Sequence, residues 1–134
     1  MLARDWNIVL TGSPQEMPVT SSIYLALGAH KGLHNVCGKT SLTDLIFLIQ
    51  NSNVVISHDS VVAHLAAILG KRVIALFGPT SPDQFSPRGQ RVDIILGEGE
   101  CRGCFPHPIC DQTQCKVMKS INPQRVIDIF SESD

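Results

Sequence analysis

The chain has 134 residues, 43% of them hydrophobic and 17% charged, with a formal net charge of −1. This length and apolar content suit one domain with a real core and exclude a disordered segment, and the near-neutral balance lacks the basic surface that nucleic acid requires. No apolar run approaches the roughly 18 residues of a membrane span, and the N-terminus has no signal-peptide pattern, so a reducing, cytoplasmic setting is the expectation.

Residues 1–6 are short and mixed, and read as the tail of something preceding. Residues 7–11 (NIVLT) read as a first strand, ending in the loop Gly12-Ser13-Pro14-Gln15-Glu16. A carboxylate at Glu16 favours the start of a following helix. That helix is expected over residues 19–29, weakened by Thr20 and Ser21. Residues 33–37 read as a short strand ending at Cys37, a small buried residue. Gly38-Lys39-Thr40 invites a phosphate-loop reading, which fails on spacing: Gly32 leaves five intervening residues before Gly38, where that motif has about four. Lys39 then reads as a solvated lysine. Ser41 caps the next helix, with Asp44 three residues on in a capping-box arrangement, and Leu42, Leu45, Ile46, Leu48 and Ile49 form its apolar face.

Residues 53–80 organise the chain. Val54, Val55 and Ile56 form a β-branched run of the kind found in strands buried on both faces. Asp59 or Ser60 caps a helix carrying Val61, Val62, Leu65, Ala66 and Leu69, and Gly70 is placed to end it in the left-handed conformation. Residues 73–77 are a second apolar strand, broken by Gly78-Pro79-Thr80. The unit is βαβ and predicts parallel strands. Unpaired N–H groups at the helix start attract phosphate, Ser60 adds a hydroxyl, and His64 lies one turn on along the same face. A lone helical histidine is ordinarily structural, and the position of His64 beside a capped N-terminus is what raises ligand contact for it; Asp59 has a plain reading as an N-cap. In open α/β sheets, ligands sit beyond the carboxyl ends of the strands, where residues 57–60 and 78–80 belong.

A Pro/Gly-rich loop over 81–90, a strand over 91–96 and a helix over 123–130 complete the pattern. Between the last two, Cys101, Cys104, Cys110 and Cys115 are spaced C-x2-C-x5-C-x4-C, with His107 a substitute ligand. Four thiolates satisfy a structural zinc and would pin a long loop. Reduced unligated thiols, two disulfides and an iron–sulfur cluster are the other readings. Strands alternating with helices predict one α/β domain over residues 1–134, a Rossmann-like doubly wound parallel sheet.

The stretch DSVVAHLAAILGKRVIALFGPTSP resembles the signature of glycosyltransferase family nine, the heptosyltransferases of the lipopolysaccharide inner core. VCGKTSLTDLIFLIQNSNVVIS and LTGSPQE, upstream, also resemble family segments. The resemblance implies the donor-binding, C-terminal half of a two-domain GT-B enzyme. It implies a donor site at Gly12, Glu16, Lys39, Asp59, Ser60, Val61, His64, Gly78 and Thr80. Glu16 would accept from ribose hydroxyls, Lys39 would approach the nucleotide, Asp59 would lie near the transferred sugar and His64 would bond the diphosphate. The implied reaction is inverting transfer from an ADP-heptose-type nucleotide-sugar to a lipid-linked saccharide acceptor, without a cofactor. No catalytic residue is expected here: the base and acceptor site belong to an N-terminal half, leaving a face for a partner domain or self-association at the inner face of the inner membrane. Two positions depart from the pattern, Val61 replacing glycine and Arg72 replacing proline. A β-branched residue narrows the approach of a diphosphate to the backbone. A non-catalytic nucleotide-sugar-binding module and a zinc-stabilised interaction domain are the alternative readings.

Overall fold

The computed structural model describes residues 6–28, 30–101, 104–105 and 115–132. They fall into two compact units, Met1–Leu48 and Ile49–Asp134, with separate two- and three-stranded sheets.

In the first unit, β1 (Ile8–Leu10) pairs in parallel with β2 (Leu33–Asn35), with Ile8 opposite Leu33 and Leu10 opposite Asn35. A single 3-10 turn, Pro14–Glu16, leads into α1 (Met17–Ala26). This helix begins before the expected residue 19 because Pro18 sits in its first turn, where a missing N–H costs nothing. It ends at Ala26 because Gly28 takes a left-handed φ of 67°. Leu33 and Cys37 are buried. The capping box at α2 (Leu42–Gln50) is present: Asp44 Oδ2 accepts from Ser41 N (2.9 Å) and Ser41 Oγ (2.7 Å), and Asp44 N donates back to Ser41 Oγ (3.2 Å). The Ser41 hydroxyl first, and then its N–H, hold the Asp44 carboxyl below its ordinary value of 3.8.

In the second unit the order is β3 (Val54–His58), β4 (Arg72–Phe77), β5 (Val92–Leu96), all parallel. Val73, Ile74, Ala75 and Phe77 of the central strand are wholly buried. β3 lies at the edge of this sheet, so its run is not buried on both faces as its composition suggested: Val54 and Val55 are half-buried and Ile56 is 45% exposed. Between β3 and β4 runs α3 (Val61–Ile68), which buries Ala63, Ala66 and Ala67 rather than its larger residues. Methyl-sized side chains let a helix lie close to the strands it packs on, and α3 contacts both β3 and β4. Gly70, with φ 70°, ends the helix, and Lys71 N closes back onto Ala66 O at 2.9 Å.

The expected loop 81–90 contains a one-turn helix, α4 (Pro82–Phe85). After β5 the chain returns as α5 (Lys116–Lys119) and α6 (Pro123–Ser131), the latter capped by Asn122, whose Oδ1 accepts from Gln124 N at 2.9 Å. α5 is seated by two glycines at the carboxyl ends of the strands. A β-carbon at Gly78 would lie 2.6 Å from Met118 Sδ, and one at Gly97 would overlap the Val117 carbonyl. Val117 is fully buried, and Glu98 N donates to Ser120 Oγ at 2.6 Å. Arg72, a buried charge on β4, closes α6. Its Nε donates to Asp93 Oδ2 (3.1 Å), one terminal nitrogen to Phe130 O (3.1 Å) and the other to Ile129 O.

Candidate functional site

The site forms where β3 gives way to α3. Ser60 occupies the N-cap with extended dihedrals (φ −159°, ψ 166°), and its carbonyl accepts from Ala63 N (3.1 Å) and His64 N (3.4 Å). Its hydroxyl does not cap the helix. It lies 2.8 Å from Ser57 Oγ, which itself donates to the His58 carbonyl at 2.9 Å. A carbonyl only accepts, so Ser57 spends its proton there and the Ser57–Ser60 bond takes its proton from Ser60. Asp59 N donates to Leu76 O of the neighbouring strand at 3.2 Å, so the turn is tied to β4. His64 Nε2 stands 3.9 Å from Asp59 Oδ1, too far for a hydrogen bond but close enough for attraction when the ring is protonated.

A cleft of about 260 Å3 opens beside this turn, lined by His58 and Asp59, by Gly78, Pro79 and Thr80, and by Leu76 and Met118. This is the carboxyl end of a parallel sheet, as expected for a ligand site. The volume is below the range of about 300–1,000 Å3 for small-molecule pockets, so this cleft has room for only part of a drug-sized ligand. A hollow of similar size, lined by Ala67, Gly70 and residues 89–91, sits by the other end of α3, away from these groups.

Of the sequence-expected residues, Asp59, Gly78 and Thr80 line the cleft, Ser60 and His64 belong to the adjoining turn, and Val61 is 69% exposed at the start of α3. Gly12, Glu16 and Lys39 lie in the other unit. There Glu16 Oε2 accepts from Ser13 N and Ser13 Oγ, both at 2.7 Å, in a second capping box. Gly12 sits in a tight place: a β-carbon would stand 3.0 Å from Cys37 Sγ and 3.1 Å from Glu16 Oε2, so these side chains would have to shift. Gly38 N donates to Gly12 O at 2.9 Å, joining the loops that follow β1 and β2. Lys39 is exposed.

The sequence profile described as Glycosyltransferase family 9 (heptosyltransferase) matches residues 1–113. The chain belongs to this family. Among curated members, it is 36% identical over 103 residues to lipooligosaccharide heptosyltransferase 2 of Haemophilus influenzae, covering 75% of this chain and 30% of that protein. It is 25% identical over 132 residues to lipopolysaccharide heptosyltransferase 2 of Escherichia coli, covering 91% of this chain and 38% of that protein. A solved structure of the E. coli ADP-heptose lipopolysaccharide heptosyltransferase II superimposes with a TM-score of 0.81 at 25% identity over 98% of this chain and 38% of the other. A family 9 glycosyltransferase from Veillonella parvula, at 19% identity and a TM-score of 0.77, shares the fold over 92% of this chain and 35% of its own. The Rossmann-like α/β class expected from sequence is therefore the fold of this family 9 chain, which spans 30–38% of the length of these relatives.

Three features of the family 9 chain were not legible as site features beforehand. Met118 lines the cleft although it lies far along the chain, and His58 lines it from the turn over 57–60, where the sequence placed a ligand without singling this residue out. Arg72, the departure from the family pattern, anchors the end of α6. The cysteine segment reaches the site mouth through Phe105, whose N–H donates to Pro79 O at 2.9 Å and whose ring meets Phe85 edge-on at 6.2 Å. Cys101, Cys104 and Cys115 are half-buried free thiols; Cys110 and His107 lie outside the described residues, and so does any complete four-ligand set. Among the described residues, no three metal-ligating side chains converge, and no helix is long and apolar enough to cross a membrane.

Proposed function

We propose that this chain holds an ADP-heptose-type nucleotide-sugar at the carboxyl ends of β3 and β4 and supplies the donor side of inverting sugar transfer to a lipopolysaccharide core acceptor. The observation that carries the reading is the cleft lined by His58, Asp59 and the Gly78–Thr80 loop, immediately before the N-cap of α3. The first N–H groups of a helix, with the dipole behind them, stabilise the diphosphate as it leaves. Asp59 faces the transferred sugar. His64, one turn along, contacts the diphosphate. Ser60 either rotates its hydroxyl away from Ser57 to donate to phosphate or accepts from a ligand hydroxyl. For Gly12, Glu16 and Lys39 the family resemblance supports nucleotide contacts, with the Glu16 carboxylate, which already accepts from Ser13, accepting also from a ribose hydroxyl.

The acceptor, the general base and the facing wall of the cleft come from a segment that longer relatives possess. In-line alignment of two reactants contributes roughly 7–11 kcal/mol to catalysis and needs both walls. Transfer requires no cofactor, and zinc on the four clustered cysteines would be structural, since a closed tetrathiolate site leaves no open position. The reaction takes place at the cytoplasmic face of the inner membrane.

Calorimetry with ADP-heptose tests the site. Ser60→Ala combined with His64→Ala weakens binding by more than ten-fold, as hydrogen bonds to charged oxygens contribute roughly 1.5–3 kcal/mol each. Unchanged affinity in the folded double variant removes the donor from this turn. The chain alone transfers no sugar to a core acceptor, and robust transfer by it would overturn the division of labour.

A second reading, a binding module without transfer, is favoured by the exposed Val61 at the helix start. A transfer assay with the N-terminal half of a relative supplied in trans separates the two.

A further inference from the structure

We infer that His58 is a specificity-determining residue of the donor site, presenting Nε2 as a hydrogen-bond acceptor to a hydroxyl of the bound ligand. The inference rests on the donor-site reading above and adds a residue to it. His58 ends β3, opposite Leu76 in the ladder, and both residues line the cleft. Its Nδ1 lies 3.0 Å from the Asp59 carbonyl oxygen. That oxygen can only accept, so Nδ1 carries the proton, and in neutral imidazole the second nitrogen is then an acceptor.

The same turn holds the ring's main chain. The His58 carbonyl accepts from Ser57 Oγ, and Asp59 N is bonded to Leu76 O. The backbone that carries the imidazole is thus tied at successive residues, which pre-organises it. Neighbouring groups leave a definite gap in recognition. The helix N–H groups and His64 suit phosphate oxygens, and the Asp59 carboxylate accepts near the sugar. A neutral Nε2 lone pair meets a phosphate lone pair unfavourably and meets a hydroxyl favourably. Two hydroxyl sources exist on such a ligand, the ribose and the transferred sugar.

The test compares ADP with ADP-heptose by calorimetry at pH 8, using the chain with His58→Asn and His58→Gln. Asparagine keeps an N–H for the Asp59 carbonyl and lacks any group at the Nε2 position. Glutamine can place its amide oxygen there. His58→Asn is expected to weaken ADP-heptose binding by about ten-fold at an unchanged melting temperature, with partial recovery in His58→Gln. Loss with ADP-heptose alone assigns the hydroxyl to the transferred sugar, and equal loss with ADP assigns it to the ribose. If His58→Asn binds both probes like the parent while Ser60→Ala/His64→Ala does not, the donor site stands and the role of His58 is overturned. If the parent binds neither probe, both fall. Imidazole nitrogen-15 shifts provide a ligand-free check: an Nε2–H tautomer at His58 overturns the inference by itself.

Discussion

Arg72→Ala should cost this chain a large share of its stability, and the cost can be worked from the structure. The guanidinium side chain is 10% exposed and makes three bonds, to Asp93, to the Phe130 carbonyl and to the Ile129 carbonyl. Hydrogen bonds to a charged group contribute roughly 1.5–3 kcal/mol each when sequestered. Two discounts apply. The Asp93 side chain is 42% exposed and rehydrates when its partner is lost. The two carbonyls belong to the last turn of a helix, where backbone acceptors lack intrahelical partners and can recruit water once the helix end lifts. A net loss of about 2–4 kcal/mol remains, which for a chain of this size lowers the melting temperature by roughly 10 °C. Arg72→Lys should recover only part, because an ammonium cannot span three acceptors in a fork. Asp93→Asn should cost less than about 1 kcal/mol, since it removes only the exposed arm. Urea unfolding followed by circular dichroism gives the free energies, and hydrogen exchange shows where the loss falls. Protection should drop across α6 first, before the β3-β4-β5 sheet. An Arg72→Ala protein melting within about 2 °C of the parent, or uniform exchange changes, would refute the clamp.

Three further outcomes follow from particular residues. Val61→Gly should tighten donor binding by removing a β-branched side chain from the α3 entrance, while costing about 1 kcal/mol of helix stability; calorimetry and thermal melts on the same variant read both, and weaker binding would count against crowding at the diphosphate. The Asp44 carboxyl, held below 3.8 by Ser41, contributes stability that is present above the unfolded value and disappears as pH falls through the lower folded one. A carbon-13 titration should show that depression and its loss in Ser41→Ala; an ordinary titration in the parent would contradict the capping box. A structural zinc on Cys101, Cys104, Cys110 and Cys115 predicts about one metal per chain after reducing purification and a lower melting temperature on chelation; folded protein without metal refutes it.

Local signals determined the elements and much of the site. The Ser41/Asp44 box, the left-handed stop at Gly70 and the apolar run of β4 are near-neighbour effects, legible from a few residues. The parallel βαβ unit follows from those elements, since a connecting helix is the ordinary way to join parallel strands, and it places Ser60 at a helix N-cap. What escaped the sequence was whatever depends on residues far apart in the chain. Burial of β3 depended on its place in the sheet, because a β-branched run reads alike at an edge and at a centre. The Ser60 hydroxyl looked like a helix cap, which would accept from a backbone N–H, and instead bonds Ser57, a choice between donor and acceptor roles that only the turn geometry decides. Arg72 read only as a departure from a family pattern, yet two of its partners lie 57 and 58 residues later, on a helix whose return no local pattern specifies. Met118 reached the cleft by the same return, seated because Gly78 leaves no side chain in its way, as Gly97 leaves none in the way of Val117. Periodicity and capping act over one or two turns of chain, whereas a buried cation or a cleft is completed only when distant segments supply its acceptors and walls.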